Sequence, residues 1–277
     1  MGTTHSADGT TLGFDTWGDG QPLIMVDGAT GYRAVSQLPS QVGELLGTEF
    51  RVYAYDRRGR GESGDTAPYA PQREIEDLAA VIETAGAPAL VCGFSSGAVL
   101  ALDAAAAGLP IAKLALFEPP FIVDDSRPPV PADYVERLDT AVAAGRPGDA
   151  AEIFLTSAIG LPREAVGGMR QSPFWPALEG VAHTIAYDGR IMGTTMSGAP
   201  LPTDRWAALT VPALIMYGNG TEPWLITAAR ALAELLPTAS VQEVEGAQHS
   251  VTAEVLAPAL RRFAQNDYDV SSPAPGR

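Results

Sequence analysis

The sequence predicts an α/β fold in which a mostly parallel central β-sheet is flanked by helices and carries an inserted helical cap. Short apolar runs, such as residues 23–26 and 111–117, alternate with helical stretches such as 73–84. Runs that are apolar throughout are typical of strands covered on both faces, and their alternation with helices favours parallel pairing through right-handed crossovers. After Glu118 the alternation stops, and only helical stretches follow until about residue 205.

Each element follows from a local pattern. The turn signal Asp8-Gly9 separates residues 3–7 from 11–17 and predicts an antiparallel strand pair at the start. The other strands are apolar runs that end at polar or glycine-containing loops, and the helices are stretches with an apolar face. Strands are expected at 23–26, 51–55, 89–92, 111–117, 213–217 and 241–244, and helices at 37–46, 73–84, 98–107 and 251–264, with one more that ends near 236.

The break in the alternation predicts the domain organisation. Residues 1–118 and 206–265 are expected to form the α/β core, and residues 119–205 the helical cap. Within the cap, proline and glycine separate three helical stretches. These stretches are 133–143, 149–159 and 174–186, and the last residues, 266–277, are expected to be a flexible tail.

Composition limits the class of protein. The chain has 277 residues, a formal net charge of −15 and a pI of about 4.5, so nucleic acids and anionic membranes are not expected as partners. Its single cysteine, Cys92, excludes an internal disulfide. It has no apolar run of membrane-spanning length and no leader pattern. We therefore expect a cytoplasmic protein that acts on a small molecule, with a homodimer as one expected assembly. The chain has seventeen arginines but one lysine, Lys113, and such a preference for arginine is typical of GC-rich bacterial genomes.

The stretch Gly93-Phe94-Ser95-Ser96-Gly97 matches G-x-S-x-G between an apolar strand and a helix. A serine on such a sharp turn adopts a strained backbone conformation, and the small residues on either side let strand and helix pass closely. The Ser95 hydroxyl then stands clear of the backbone. The helix N-terminus behind it offers N–H groups and a positive dipole end to a developing oxyanion. This pattern indicates a nucleophilic serine.

Five features, in this order along the chain, resemble the α/β-hydrolase fold family. They are an apolar strand followed by Asp27-Gly28, the D-x-R-G-x-G-x-S run at 56–63, the turn at Ser95, the helical insertion, and a late loop that carries His249. The resemblance covers residues 3–265. It implies the fold but not the substrate, because this fold hosts many reactions. The run at 56–63 resembles a structural turn beside the site, and we assign it no chemistry.

The resemblance implies that His249 takes the proton of Ser95 and returns it to the leaving group. His249 follows the last predicted strand, and because parallel strands end on the same side of a sheet, its loop is expected to face Ser95. The other histidines fit this role less well, since His5 lies in the N-terminal hairpin and His183 within the cap.

A carboxylate that orients the histidine has two candidate positions. Family members usually carry Asp in the loop after the strand at 213–217, where this chain has Thr221 at the expected place and Glu222 one residue later. A second location is known in the family, and some haloalkane dehalogenases are similar in this respect. It is the end of the strand that follows the helix after Ser95, where this chain has Glu118. We prefer Glu118 and keep Glu222 as the alternative. A site in which neither residue acts also stays open.

Two backbone N–H groups are expected to form the oxyanion hole. One belongs to Ser96, the residue after the nucleophile, and the other to Ala29, which matches the family position next to Gly28. Many relatives have His-Gly where this chain has Asp27-Gly28. Because a carboxylate that pointed inward would oppose an oxyanion, we expect Asp27 to point away into local hydrogen bonds.

These residues predict a cofactor-independent serine hydrolase that cleaves a small to medium, mostly apolar ester, lactone or thioester through an acyl-enzyme on Ser95. A serine at the turn argues against dehalogenase and epoxide hydrolase chemistry, which needs a carboxylate nucleophile. The acidic residues are dispersed and Cys and His are few, so no metal site is expected. No G-x-G-x-x-G opens a βαβ unit, so no dinucleotide is expected either.

The cap is expected to set specificity. Its aromatic residues should divide between packing and an apolar pocket. Few positive groups accompany them, although Arg127, Arg163 and Arg170 could meet a substrate carboxylate. The aromatic residues are Phe121, Tyr134, Phe154, Phe174, Trp175, Tyr187 and Trp206. Two other functions stay open. One is a carbon–carbon hydrolase, perhydrolase or non-hydrolytic cyclase or lyase that uses the same site, and the other is a non-catalytic ligand-binding protein.

Overall fold

Eight strands form the central sheet of the protein. The structure, a computed structural model, describes residues 1–265, and the flexible tail expected at 266–277 lies outside them. The strands are β1 (Gly2–His5), β2 (Thr11–Trp17), β3 (Gln21–Val26), β4 (Phe50–Tyr55), β5 (Ala89–Phe94), β6 (Ile111–Phe117), β7 (Ala213–Gly220) and β8 (Ala239–Ala247).

The sheet has the order β1-β2-β4-β3-β5-β6-β7-β8. β1, β2 and β4 pair antiparallel, and every pair from β4 through β8 is parallel. The carboxyl ends of the parallel strands therefore meet along one edge. There, Phe94 pairs with Phe117, and Phe117 pairs with Met216. The predicted α/β fold with a mostly parallel sheet is confirmed.

Residues 1–265 also contain eleven α-helices, and those of the core cover both faces of the sheet. Leu23 and Met25 of β3 belong to a core cluster with the first and last helices, whereas Ile24 and Val26 belong to the cluster on the opposite face, which includes α2 and α3. Burial on both faces explains why this strand is apolar at every position. The helices are α1 (Leu38–Leu46), α2 (Pro71–Ala85), α3 (Ser96–Ala106), α4 (Tyr134–Ala143), α5 (Pro147–Ile153), α6 (Arg163–Met169), α7 (Trp175–Val181), α8 (Ile185–Met192), α9 (Thr203–Trp206), α10 (Pro223–Leu235) and α11 (Ala253–Gln265).

The chain between β6 and β7 is helical, as its sequence predicts, but it is divided more finely. We call residues 119–205 the helical insertion. The helix expected at 149–159 is α-helical only in α5 and continues as a π-helix over Phe154–Ile159. The helix expected at 174–186 is split into α7 and α8 by a 3₁₀ turn, in which the Thr184 hydroxyl bonds back to the carbonyl of Val181.

Two further helices of this region, α6 and α9, were not predicted. α6 contains the adjacent glycines Gly167 and Gly168, which weaken the helical signal. The expected domain boundary at residue 205 falls inside α9, and the division into core and cap stays a prediction. No helix within residues 1–265 has both the length and the apolar character needed to cross a bilayer.

Two glycines let α3 leave the sheet at close range. A Cβ on Gly93 would lie 2.6 Å from the Cα of Ala98, and a Cβ on Gly97 would collide with the carbonyl oxygens of Val26 and Asp27. These neighbours are backbone atoms, which cannot rotate away as a side chain can. The spacing of the G-x-S-x-G pattern is therefore required by the packing of α3 against β5 and the end of β3.

We expect Gly97→Ala to lower the free energy of unfolding by about 1–3 kcal/mol, because the added methyl overpacks rigid backbone. The matched control is Gly167→Ala, since a Cβ at this exposed position in α6 meets nothing within 4 Å. That variant should gain up to about 1 kcal/mol from helix propensity. Urea unfolding measures both, and equal effects of the two variants would contradict the packing argument.

Candidate active site

Ser95 lies at the abrupt turn between β5 and α3. Its backbone angles are φ 54° and ψ −126°, a strained conformation for a residue with a side chain. Its N–H donates a 3.0 Å hydrogen bond to the carbonyl of Phe117 at the end of β6. The side chain lines a cavity. Ser95 therefore has a strained backbone, and its side chain is accessible from the cavity.

His249 and Glu118 come together from the loops that follow β8 and β6. The ring nitrogen Nδ1 of His249 lies 2.6 Å from the carboxylate oxygen Oε2 of Glu118. The Glu118 side chain is fully buried. The other carboxylate oxygen accepts the N–H of Gly218 at 2.9 Å. Because a carboxylate only accepts hydrogen bonds, this contact matches the tautomer with the proton on Nδ1, in which Nε2 has a lone pair. His249 lines the same cavity as Ser95.

Glu222, the alternative acid, lies in the loop between β7 and α10. It is exposed and forms part of the cavity wall. Within residues 1–265, no hydrogen bond or ion pair joins it to His249. Thr221, at the position where the family usually has Asp, also lines the cavity, and its buried hydroxyl oxygen has no hydrogen-bond partner among the described residues. The structure thus brings Glu118 to the histidine, and not Glu222.

The loop after β3 lies directly against Ser95, because a Cβ on Gly28 would be 2.8 Å from the serine Cβ. The Gly28 carbonyl accepts a 2.7 Å hydrogen bond from Arg60 Nη1. In a trans peptide the C=O and the following N–H point in opposite directions, so this bond turns the N–H of Ala29 away from Arg60. Ala29 lines the cavity, and within the described chain its N–H has no acceptor.

Ser96 supplies a second N–H at the same place. It is the first residue of α3, where the backbone N–H has no partner in the helix. Asp27 does not line the cavity, although Gly28 and Ala29 do. Its side chain lies beside Gly31, and burial raises its pKa, against the lowering effect of the nearby Arg60 and Arg57 charges.

A group of ionised side chains lies behind this loop, which we call the buried charge cluster: Arg57, Arg60, Glu74 and Asp188. Asp188, in α8 of the insertion, accepts from Arg57 at 2.7 Å and from Arg60 at 2.5 Å. Arg57 also donates twice to Glu74, at 2.6 and 2.9 Å. All four are buried, so two positive and two negative charges balance in a region of low polarity.

Asp188 connects the cluster to the cavity. Its Oδ1 accepts the hydroxyl of Ser96 at 2.7 Å, and its side chain forms part of the cavity wall. Burial alone would raise the pKa of Asp188, but the charges of Arg57 and Arg60 hold it below its usual range. The carboxylate of Asp188 therefore binds three groups, which are the hydroxyl of Ser96 and the guanidinium groups of Arg57 and Arg60.

The cavity has a volume of about 570 Å³ and mostly apolar walls. Its size fits a small to medium ligand. The core contributes Trp224 and Leu225 in addition to the polar groups already described. The insertion contributes the remaining apolar wall, which consists of Pro120, Tyr134, Phe154, Ala158, Ile159, Leu161, Met192 and Met196.

Comparison with known proteins assigns the family. The sequence profile of the Alpha/beta hydrolase family matches residues 20–260. The chain belongs to this family. The resemblance that the sequence motifs predict is confirmed.

Similar proteins of this family come from bacteria. An alpha/beta hydrolase from Sphaerobacter thermophilus DSM 20745 is 47% identical, with 95% of this chain and 100% of that chain covered and a TM-score of 0.86. The non-heme chloroperoxidase of Streptomyces lividans is 26% identical over 96% of this chain and its own whole length. A thermophilic esterase from Thermogutta terrifontis, 23% identical over 95% and 97% of the two chains, has the same fold with a TM-score of 0.69.

The two other histidines of this α/β hydrolase lie apart from the cavity. His183 Nε2 is 3.7 Å from Asp65, and His5 Nδ1 is 3.4 Å from the hydroxyl of Thr11. Among the insertion aromatics, Tyr134 and Phe154 line the cavity. The rest either pack elsewhere or are exposed, as Phe174 is.

Sequence reasoning missed the role of Asp188 in this α/β hydrolase. The signal available was a group of three arginines, Arg57, Arg58 and Arg60, in a glycine-rich turn directly after the buried strand β4. Nothing in the sequence couples Arg57 to an acidic residue 131 positions later. Among residues 1–265, no group of three or more His, Cys, Asp and Glu side chains is arranged to hold a metal ion.

We expect Asp188→Asn to lower the free energy of unfolding by about 3–5 kcal/mol, because it leaves two buried guanidinium groups without their shared counter-charge. Asp103→Asn is the matched control. Asp103 also ties α3 to the end of the insertion, through Arg205, but this pair is partly exposed and should contribute less. Urea unfolding of both variants tests this, and a loss in Asp188→Asn no larger than in the control would contradict it.

Proposed function

We propose that this α/β hydrolase cleaves carboxylic esters, lactones or thioesters through an acyl-enzyme on Ser95. The observation that carries the proposal is the 2.6 Å contact between His249 Nδ1 and Glu118, in a site where histidine and strained serine line one cavity. It orients the ring so that Nε2 is free to accept a proton. The family and the esterase with the same fold support hydrolysis in general.

In the proposed first step, Ser95 Oγ attacks the acyl carbon while His249 Nε2 takes its proton. Within residues 1–265 the two side chains are not hydrogen-bonded, and such contacts commonly tighten when substrate binds. The carbonyl oxygen becomes an oxyanion, which the N–H groups of Ala29 and Ser96 stabilise. The oxyanion then collapses, and His249 returns the proton to the departing alcohol, thiol or ring oxygen. Water repeats the sequence on the acyl-enzyme and releases the acid.

Glu118 is proposed to hold the histidine ring and to stabilise its positive charge after proton transfer. Its full burial and its second hydrogen bond, from Gly218, keep the carboxylate in one orientation. Glu222 lacks both features, which supports Glu118 over the alternative acid.

Arg60 is proposed as a positioning residue for the oxyanion hole. Its bond to the Gly28 carbonyl fixes the peptide whose N–H belongs to Ala29. Asp188 in turn fixes Arg60 and the hydroxyl of Ser96. Both oxyanion donors are therefore supported by one buried carboxylate from the insertion.

A second candidate is perhydrolysis, in which hydrogen peroxide replaces water in the attack on the acyl-enzyme and releases a peracid. The similarity to a non-heme chloroperoxidase over nearly the whole chain favours this alternative. It uses the same acyl-enzyme, so it differs only in the second nucleophile. A small-molecule substrate, a cytoplasmic location and a homodimer stay predictions of the sequence.

We expect a fluorophosphonate to label Ser95 stoichiometrically, because a serine activated by a histidine attacks phosphorus as it attacks carbon. His249→Ala should abolish labelling. His183→Ala is the matched control and should leave it intact, since His183 lies away from the cavity. Intact-mass and peptide mapping measure the label. A folded protein that stays unlabelled would contradict an activated serine.

We expect Glu118→Gln to lower kcat for a chromogenic ester by about 10³- to 10⁴-fold, because the amide no longer fixes the histidine tautomer or stabilises its cation. Glu222→Gln should change kcat little. A large loss in Glu222→Gln with little change in Glu118→Gln would reverse the assignment. Thermal unfolding of both variants checks that the fold is retained.

A further inference from the structure

Arg127 differs from the other arginines of the helical insertion. Residues 119–205 contain seven arginines, and six of them have a carboxylate oxygen within 4.0 Å. Arg163 and Arg170, the two other arginines predicted as candidates to bind a substrate carboxylate, are both paired with Glu152. Among the described residues, Arg127 has no ion pair and no hydrogen bond. In a chain of net charge −15, its lack of a carboxylate partner is unusual.

Arg127 is not itself a lining residue of the cavity, but it contacts one, Trp224, and lies beside Gly160, whose two chain neighbours also line it. Its guanidinium carbon is 4.5 Å from the centre of the Trp224 ring, and its Nη2 would be 3.3 Å from a Cβ on Gly160. Trp224 lines the cavity, as do Ile159 and Leu161 on either side of Gly160. The absence of a side chain at Gly160 leaves room for the guanidinium there.

The guanidinium of Arg127 is a partly buried cation whose N–H groups have no acceptor among the described residues. Arg127 is half-buried, and burial lowers its pKa with no carboxylate to offset the effect. The cation–π contact with Trp224 does not use the N–H donors as hydrogen bonds to oxygen would, so they remain available to a ligand. The edge of a guanidinium matches the two oxygens of a carboxylate, which it binds through two parallel hydrogen bonds.

The carboxylates around the cavity do not fill this role. Asp188 is satisfied within the buried charge cluster, and Glu118 is bonded to His249. Glu222 is exposed and makes no ion pair with Arg127 in the described chain. The remaining wall near Arg127 is apolar, so an anionic ligand would meet one positive charge at one place.

We propose that Arg127 binds a carboxylate of the substrate, and that the substrate class is an ester or lactone whose apolar body carries one carboxylate away from the scissile bond. This inference rests on the proposed hydrolytic function of the same cavity. The apolar walls bury the body, Ser95 receives the acyl carbon, and Arg127 selects for the charge.

The first test compares two substrates of equal chain length, the p-nitrophenyl monoester of glutaric acid and p-nitrophenyl pentanoate. We expect Arg127→Gln to raise KM for the charged ester by about 10- to 100-fold, because a charge-assisted hydrogen bond is lost, and to leave the uncharged ester unchanged. The matched control is Arg163→Gln, which removes the same charge from an exposed position of the insertion. It should leave both substrates unchanged.

The second test does not depend on turnover. Monoethyl glutarate is titrated into Ser95→Ala protein by calorimetry, and the titration is repeated with Arg127→Gln added. We expect binding that weakens about 10- to 100-fold in the double variant. Retained folding of Arg127→Gln is checked by its activity on the uncharged ester or by its thermal unfolding.

The outcomes separate the two proposals. If both esters are hydrolysed equally well by the wild type and Arg127→Gln, or if Ser95→Ala protein does not bind the monoester, the carboxylate subsite is wrong while hydrolysis stands. If no ester is cleaved and Ser95 takes no fluorophosphonate label, yet binding depends on Arg127, the subsite stands and hydrolysis is wrong.

Discussion

The buried carboxylate of Asp188 is the interaction on which the rest of the site depends. It pairs with two guanidinium groups that would be costly to bury alone, and these groups bind the carbonyls of Asp27 and Gly28. The same carboxylate holds the hydroxyl of Ser96. The strand β3, the helix α3 and the insertion are thereby joined at the point where the cavity meets the serine.

Sheet topology supplies the second constraint. Because β6 lies next to β5 in parallel register, the residue after β6 stands beside the turn that carries Ser95. Glu118 at this place is fully buried, and β7 supplies a hydrogen bond through Gly218. A carboxylate at the end of β6 can therefore reach the loop after β8, and the histidine ring meets it there. In the proposed function, this carboxylate takes the place of the Asp that family members usually carry in the loop after β7.

The insertion contributes both the apolar wall and the electrostatics of the cavity. Its arginines are neutralised by neighbouring acids, except for Arg127 among the described residues. An acidic protein that keeps one half-buried cation beside an apolar cavity is suited to select a ligand by charge. In the proposed function, the insertion selects the ligand and the core carries out the chemistry.

The sequence by itself determined the α/β fold, the helical character of the insertion and the turn at Ser95, because these depend on local periodicity and on glycines that packing requires. It also indicated two glutamates as candidates for the carboxylate that orients His249, and left open a site in which neither acts. Only the tertiary structure brought Glu118 rather than Glu222 to the histidine, and only it joined Arg57 to Asp188, since a bond between residues 131 positions apart leaves no local pattern. The break between α7 and α8 lies at Thr184, whose hydroxyl accepts a hydrogen bond from Arg60. Helix propensities do not include a contact between residues so far apart in the sequence.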